Sequence, residues 1–235
     1  MKIRGHRECR DCGIEWSYYE SGSIACPSCG SVRSRGLDDR TEHTAGRASL
    51  DLTPARQAIE EEDLKAGLSI AATTCRSYRA TAGFINAGSL EPLSTTYLGA
   101  TELQYATREA KLRTTLDDSE RRYCYALLNG ADSGERPDPD NVPASMHQPR
   151  GLADAASVDA YRSAIRTALG DTVDPAIGRL LTRIDDHRSR IEALDGAVDP
   201  AVGATLIVAV QSVGEHIREE SDGLETARER LDELV

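Results

Sequence analysis

The sequence of 235 residues predicts a small β zinc ribbon followed by a mainly α-helical domain, an antiparallel helical bundle that ends in a helical hairpin. Two observations lead to this prediction. Two Cys-x2-Cys pairs lie within the first 30 residues, and that spacing is typical of a four-cysteine metal site. After residue 52, apolar side chains recur at intervals of three and four, as they do along one face of a helix.

The predicted metal ligands are Cys9, Cys12, Cys26 and Cys29, with 13 residues between the two pairs. Two residues between cysteines let one tight turn present both sulfurs to a single ion. We predict that a strand over 14–20, a turn at 21–22 and a return strand over 23–25 bring the pairs together. Four thiolates fill the shell of Zn²⁺ and leave no position for water, so the predicted role is structural. Iron is the less favoured alternative, because the same four-sulfur geometry accepts it.

The domain organisation follows from composition and from helix start signals. We predict a ribbon over 1–40, a linker over 41–52, a helical segment over 53–129, a proline-rich segment over 130–150 that is a mobile loop or an interdomain linker, and a helical bundle or hairpin over 151–235. Thr53, Asp174 and Asp199 each precede a proline, which is the arrangement of a capping side chain before the first helical position. Helices are expected over 54–86, 92–115, 118–129, 151–169, 175–194 and from 200 towards the end. Gly67 and Gly83 are candidate break points in the first of them.

The last of these helices carries an apolar stripe typical of a coiled coil, which makes a homodimer through the helices one expected arrangement. Its members are spaced three, four and seven residues apart: Leu206, Val210, Val213, Ile217, Leu224, Leu231 and Leu234.

The chain is strongly acidic, with 39 Asp and Glu against 28 Lys and Arg and a formal charge of −11. Only three of the basic residues are lysines. This composition resembles that of proteins from salt-loving archaea, in which carboxylates keep the surface hydrated. Phosphate contacts weaken steeply with salt, so an acidic chain of this kind is poorly suited to unaided nucleic-acid binding.

The cysteine usage indicates a cytoplasmic protein. Four of the six cysteines belong to the metal pattern, which suits a reducing compartment. Cys75 and Cys124 lie in helical patterns, where we predict buried free thiols. The first residues lack the apolar segment of a signal peptide, and no apolar run approaches the roughly 18 residues of a membrane-spanning helix.

Two known families share the ribbon pattern. The segment Cys9-Arg10-Asp11-Cys12-Gly13 through Cys26-Pro27-Ser28-Cys29-Gly30 resembles the TFIIB-type zinc ribbon of archaeal transcription proteins. It is also similar to the rubredoxin-type iron knuckle. Both resemblances cover about residues 1–36. The whole chain, a ribbon with an acidic helical tail, resembles an uncharacterised haloarchaeal zinc-ribbon family.

We expect a non-enzymatic adaptor. The sequence lacks a phosphate-binding loop, a dinucleotide fingerprint and a nucleophile elbow. It also lacks the Glu-x-x-His pairs of a di-iron site. The ribbon resemblance implies a protein partner in transcription or other nucleic-acid machinery. The alternatives are a rubredoxin-like iron redox module and direct nucleic-acid binding by the ribbon. Candidate partner-binding residues are Arg7, Arg10, Trp16, Tyr18, Tyr19, Arg33 and Arg35.

Overall fold

The computed structural model describes residues 1–170 and 173–234, and shows a small N-terminal β region followed by a mainly helical domain. In the β region, β2 lies between β3 and β4 in an antiparallel sheet, and β1 pairs with β5. The strands have only two to four residues each, so backbone pairing alone gives this region little stability. Their bounds are β1 Lys2–Ile3, β2 His6–Cys9, β3 Glu15–Ser17, β4 Ser34–Gly36 and β5 Thr41–Glu42.

The predicted pairing of 14–20 with 23–25 is wrong. The strand ends at Ser17, whose hydroxyl accepts a hydrogen bond from the Glu20 N–H at 3.3 Å and starts the helical turn α1, Tyr18–Ser21. Gly22 closes that turn with a φ of 66°. Residues 23–25, all of which the structure describes, form no strand. The strand that returns to β2 is β4, which follows the second cysteine pair.

Eight longer helices lie in the described part of the chain, and two of the three predicted capping residues, Asp174 and Asp199, are used. The prediction for Thr53 is wrong, because Thr53 is the first residue of its helix and the preceding Leu52 provides no side-chain cap. Asp174 and Asp199 accept hydrogen bonds from the N–H groups two residues on, at 2.6 and 2.9 Å. Asp117 and Glu120 form a reciprocal capping box. The helices are α2 Thr53–Glu61, α3 Leu64–Thr81, α4 Thr95–Leu112, α5 Asp118–Gly130, α6 His147–Leu169, α7 Pro175–Ala193, α8 Pro200–Ile217 and α9 Gly223–Asp232.

Two predicted helices are divided. The helix expected over 54–86 ends at Thr81, near the candidate break point Gly83, and it also divides at Asp63 rather than at Gly67. Asp63 is extended and caps α3 by accepting from the Ala66 N–H. The last residues of the predicted helix form a short hairpin of β6, Ile85–Asn86, and β7, Ser89–Leu90. The helix expected from 200 to the end breaks after Ile217, where Glu219 has a φ of 61°. The second half folds back as α9, so the coiled-coil prediction is wrong: Leu206, Val210, Val213 and Leu231 share one buried core.

The segment 130–150 differs from the predicted mobile loop. It forms three short 3₁₀ turns, Ala131–Ser133, Pro139–Asn141 and Ala144–Met146, and α6 begins within it at His147. Met146 and Arg150 are buried. Proline has a fixed φ suited to turns and to first helical positions, so the prolines here shape an ordered connection.

The apolar interior consists of two clusters. One is formed mainly by α2 to α5 and includes Leu68, Leu103 and Leu127. The other is formed mainly by α6 to α9 and extends to Phe84 and Tyr97. Helices α4 and α6 pack against each other between the clusters.

Where α4 meets α6, four charged side chains form a buried ion cluster: Glu102, Arg136, Arg150 and Asp154. Arg150 contacts Glu102 at 2.7 Å and Asp154 at 3.3 Å, and Arg136 contacts both carboxylates as well. The Tyr123 hydroxyl donates to Glu102, and burial raises the pKa of Tyr123 well above its ordinary value. The cluster is neutral, with two charges of each sign, as buried charges require.

The β region is joined to the helical domain by backbone hydrogen bonds around β6. Thr44 N–H donates to the Ile85 carbonyl at 2.8 Å, and Gly46 N–H donates to the Thr81 carbonyl at 3.0 Å. None of the helices in the described residues combines the length and the apolar character that crossing a membrane requires.

Candidate metal centre

The two cysteine pairs adopt the same tight turn. In the first turn, Cys9 N–H donates to the Ile14 carbonyl at 2.8 Å and Gly13 N–H donates to the Cys9 carbonyl at 3.0 Å. In the second, Cys26 bonds with Ser31 and Gly30 in the same pattern, at 2.8 and 2.9 Å. Gly13 and Gly30 have φ values of 74° and 72°, a backbone region that glycine enters without steric cost. Glycine at these two positions therefore lets the chain turn directly after the second cysteine of each pair.

The turns bring the four predicted sulfurs together, all within 4.8 Å of one another. Cys9 Sγ lies 3.6 Å from Cys29 Sγ, and Cys12 Sγ lies 3.5 Å from Cys26 Sγ. A tetrahedral Zn²⁺ with bonds of about 2.3 Å places its sulfur ligands about 3.8 Å apart. The four cysteines therefore fit one metal ion, with Cys9 and Cys26 buried and Cys12 and Cys29 exposed.

The sulfurs influence one another's ionisation. The Cys29 N–H is the largest contribution that lowers the pKa of Cys26 to about 7. The Ser31 N–H favours the Cys29 thiolate, but the neighbouring Cys12 and Cys9 sulfurs outweigh it and raise the pKa of Cys29 to about 12. Four adjacent thiolates repel one another, and a divalent cation at their centre removes that repulsion. Metal binding would thus be accompanied by loss of the thiol protons.

Four thiolate ligands complete a tetrahedral shell, so an ion held here has no open position for a substrate or a water molecule. The Asp11 N–H donates to Cys9 Sγ at 3.4 Å and offsets part of the sulfur charge. The arrangement is suited to holding a fold together, and its donor set accepts zinc or iron.

The three candidate aromatic residues are half-buried and make contacts within the protein. Trp16 Nε1 donates to the Ser23 carbonyl at 3.1 Å. The Tyr19 hydroxyl lies 2.6 Å from Thr41 Oγ1, and the rings of Tyr18 and Tyr19 lie 5.8 and 5.0 Å from the ring of His43. The two tyrosines therefore pack the ribbon against the segment that follows it, whereas Trp16 makes its contact within the ribbon.

The four candidate arginines have three kinds of surroundings. Arg33 is paired with Asp11 at 2.9 Å, and Arg35 Nε donates to Glu8 at 2.7 Å. Arg10 is exposed, and its backbone N–H donates to the Arg33 carbonyl. Arg7 Nε donates to Ser34 Oγ at 2.9 Å, and its side chain lines a depression with three cations that the sequence prediction missed: Lys2, Arg4 and Arg40. Only the pairing of β1 with β5 brings Arg40 to this place, and the sequence shows no signal for that pairing.

The two remaining cysteines are buried in the helical domain, as predicted. Cys75 and Cys124 are fully inaccessible to solvent, and burial raises the pKa of each to about 12. They are neutral core side chains at physiological pH.

A family model described as "Family of unknown function (DUF7117)" matches residues 1–231. No curated protein and no solved structure matches the chain.

Proposed function

The chain belongs to the family of unknown function DUF7117, and we propose that it is a non-enzymatic adaptor whose N-terminal zinc ribbon recognises a protein partner. The observation that carries this proposal is the convergence of four cysteine sulfurs within 4.8 Å. Such a shell is closed to substrates and supplies folding free energy to a segment with little core of its own. The site therefore supports a recognition surface better than it supports a reaction.

The ribbon also exposes apolar side chains next to its metal turns. We define the knuckle surface as Ile14, Ile24 and Val32, which are 44%, 57% and 66% exposed. Ile14 follows the first turn, and Ile24 and Val32 flank the second. Exposed apolar residues that a metal site holds in place are suited to binding a protein, with Asp11 and Arg33 as the polar rim.

The ribbon's resemblance to the TFIIB type is the reason for proposing a partner in transcription or other nucleic-acid machinery. The charge of the chain supports a protein rather than a nucleic acid as the main partner. Outside residues 1–40 there are 21 basic and 33 acidic residues, which repel a polyanion. The acidic composition further suggests a salt-rich cytoplasm as the working environment.

Metal analysis tests the first part of the proposal. We expect one zinc ion per chain and a colourless protein. Converting Cys26 and Cys29 to serine should abolish zinc binding and unfold the ribbon, while the helical circular-dichroism signal is largely retained. A protein without bound metal would contradict the proposal. A red protein with one iron would instead support a rubredoxin-like redox module.

Affinity capture tests the second part. The zinc-loaded chain should recover polymerase or ribosome components, identified by mass spectrometry. Substituting Asp for Ile24 and Val32 should abolish capture without loss of zinc. Leu112→Asp is a matched control, because Leu112 is 78% exposed in the helical domain. Equal capture by the knuckle variant and the control would show that the knuckle surface is not the recognition surface.

A further inference from the structure

A second surface of the ribbon carries a concentration of positive charge. A depression of about 320 Å³, which we name the basic pocket, is lined by Lys2, Ile3, Arg4, Arg7, Gly36 and Arg40. The pairing of β1 with β5 and of β2 with β4 brings these residues together from both ends of the ribbon. Gly36 is required for the shape, since a Cβ there would lie 2.5 Å from the Arg4 Cβ.

Two of the arginines are held in place while keeping free donors. Arg4 Nη1 donates to the Asp38 carbonyl at 2.7 Å, and Arg7 Nε donates to Ser34 Oγ at 2.9 Å. Each guanidinium has five N–H donors, so most donors of both side chains are left for a ligand. Lys2 and Arg40 are exposed, and neither forms a side-chain hydrogen bond or an ion pair with any residue that the structure describes.

The acidic groups near the pocket are largely engaged elsewhere. Asp38 Oδ2 accepts from the Gly5 and His6 N–H groups at 3.1 and 3.2 Å, whereas Asp38 Oδ1 is buried and has no hydrogen-bond partner among the described residues. The Glu42 carboxylate pairs with the terminal amine of Met1. Asp39, which is exposed beside Arg40, is the remaining neighbour. Within the described residues, no ion pair neutralises any of the four pocket cations.

The number of cations distinguishes a phosphate ligand from a carboxylate. Elsewhere on this ribbon one arginine satisfies one carboxylate, as Arg35 does for Glu8 and Arg33 does for Asp11. The four cations around one small depression are more than a single carboxylate needs. Adjacent phosphates of a nucleic-acid strand supply closely spaced negative charges, and arginine forks match their non-bridging oxygens.

We infer that the basic pocket binds the phosphodiester backbone of a single nucleic-acid strand, while the knuckle surface binds the protein partner. This deepens the proposed recognition role and rests on it, since the ribbon must be the recognition module. The pocket is too small to read a base sequence, so the contact positions a strand without specifying it.

The test is binding of a fluorescein-labelled single-stranded oligonucleotide to the zinc-loaded full chain over a range of salt concentrations. The pocket variant combines Lys2→Gln, Arg4→Gln and Arg40→Gln. The control variant combines Arg76→Gln, Arg179→Gln and Arg228→Gln. These three arginines are exposed in the helical domain, and their substitution changes the net charge by the same amount as in the pocket variant. We expect the pocket variant to bind at least about tenfold more weakly at low salt. The slope of the logarithm of the binding constant against the logarithm of the salt concentration should decrease in magnitude by about two, because each of the three lost phosphate contacts contributes about 0.7.

The control variant should keep both the affinity and the slope of the unmodified chain. Equal weakening in the two variants would overturn the pocket as the binding site, and so would an unmodified chain that fails to bind at low salt. Unlabelled oligonucleotide should displace the labelled strand, and a poly-glutamate peptide of equal charge should not. If the peptide displaces the labelled strand at the same concentration as the unlabelled oligonucleotide does, phosphate is not the ligand. If Arg4→Gln impairs folding, the double variant of Lys2 and Arg40 should show the same effect with a smaller slope change.

Zinc content and protein capture keep this inference separate from the adaptor proposal. The pocket variant should retain one zinc ion and should still recover the protein partner, because the knuckle surface is unchanged. Loss of oligonucleotide binding with retained capture supports both surfaces. If the pocket variant keeps both oligonucleotide binding and protein capture, the pocket is not the nucleic-acid site, and the adaptor proposal still stands.

Discussion

His43 shows how one residue connects the ribbon to the helical domain. Its side chain is only 8% exposed and lies against the rings of Tyr18 and Tyr19. Its backbone N–H donates to the Met1 carbonyl at 2.9 Å, and its Nδ1 accepts from the Ala87 N–H at 3.4 Å. A charged imidazole in this position would be poorly solvated and close to the positively charged N-terminus.

The same contacts predict a dependence of stability on pH. Burial first, and then the N-terminal charge, lower the pKa of His43 below the ordinary value of 6.5. The unfolded chain therefore takes up a proton before the folded chain does. The stabilisation is complete above pH 6.5 and is lost as the pH falls from there towards the folded-state pKa.

We expect the melting temperature of the zinc-loaded protein to fall between about pH 7 and pH 5, and His43→Gln to reduce that fall. Thermal denaturation at several pH values, followed by circular dichroism, measures the melting temperature of each protein. His6→Gln is the control, because His6 is exposed on the same ribbon. If both variants keep the full pH dependence, the neutral state of His43 does not contribute to ribbon docking.

At the level of elements, glycine positions determine how closely helices approach. A Cβ on Gly223 would lie 1.9 Å from the Ser212 carbonyl oxygen, so α9 can fold back onto α8 only because this residue has no side chain. Gly178 in α7 is different, since a Cβ there would meet only a Val173 methyl group at 3.8 Å. The first glycine is therefore required by close packing, whereas the second is not.

This contrast predicts opposite effects of the same substitution. Gly223→Ala should lower the free energy of unfolding by about 1–3 kcal/mol through overpacking. Gly178→Ala should raise it by about 0.5–1 kcal/mol, because alanine loses less backbone entropy in a helix. Urea unfolding at constant pH measures both. A loss of stability in Gly178→Ala similar to that in Gly223→Ala would contradict the geometric distinction.

Local signals predicted the features that short-range interactions determine. The cysteine spacing predicted the four cysteines whose sulfurs converge, and the Asp-Pro pairs predicted the starts of α7 and α8. Features that depend on distant parts of the chain were missed. Two examples are the pairing of β4 with β2 and the chain reversal at Glu219. Both depend on which surfaces are buried against each other in the folded protein, and hydrophobic periodicity does not contain that information. The basic pocket was missed for the same reason, since its residues become adjacent through the pairing of β1 with β5 and of β2 with β4.

For the molecule as a whole, the buried ion cluster joins the two apolar clusters. Glu102 is on α4, Asp154 is on α6, and Arg136 reaches both from the connection between α5 and α6. Helix α8 also lies against it, because a Cβ on Gly203 would be 2.3 Å from an Asp154 oxygen. The spacing of four between Arg150 and Asp154 is the one local signal of this arrangement. Apolar packing tolerates small shifts, whereas four buried charges are satisfied in one arrangement of these helices.

Removing one member of the cluster should therefore destabilise the whole domain. Arg150→Met leaves Glu102 and Asp154 with Arg136 alone, and we expect the free energy of unfolding to fall by about 3–5 kcal/mol. Arg230→Met is the control, since the Arg230–Glu233 pair is about half exposed and surface pairs contribute about 0–1 kcal/mol. Adding Glu102→Gln to Arg150→Met should cost less than the sum of the single changes, because the second substitution removes the charge that the first left unpaired. Urea unfolding of the unmodified chain, the two single variants and the double variant measures this coupling. Strict additivity, or an Arg150→Met variant as stable as the control, would show that the cluster does not hold α4 and α6 in register.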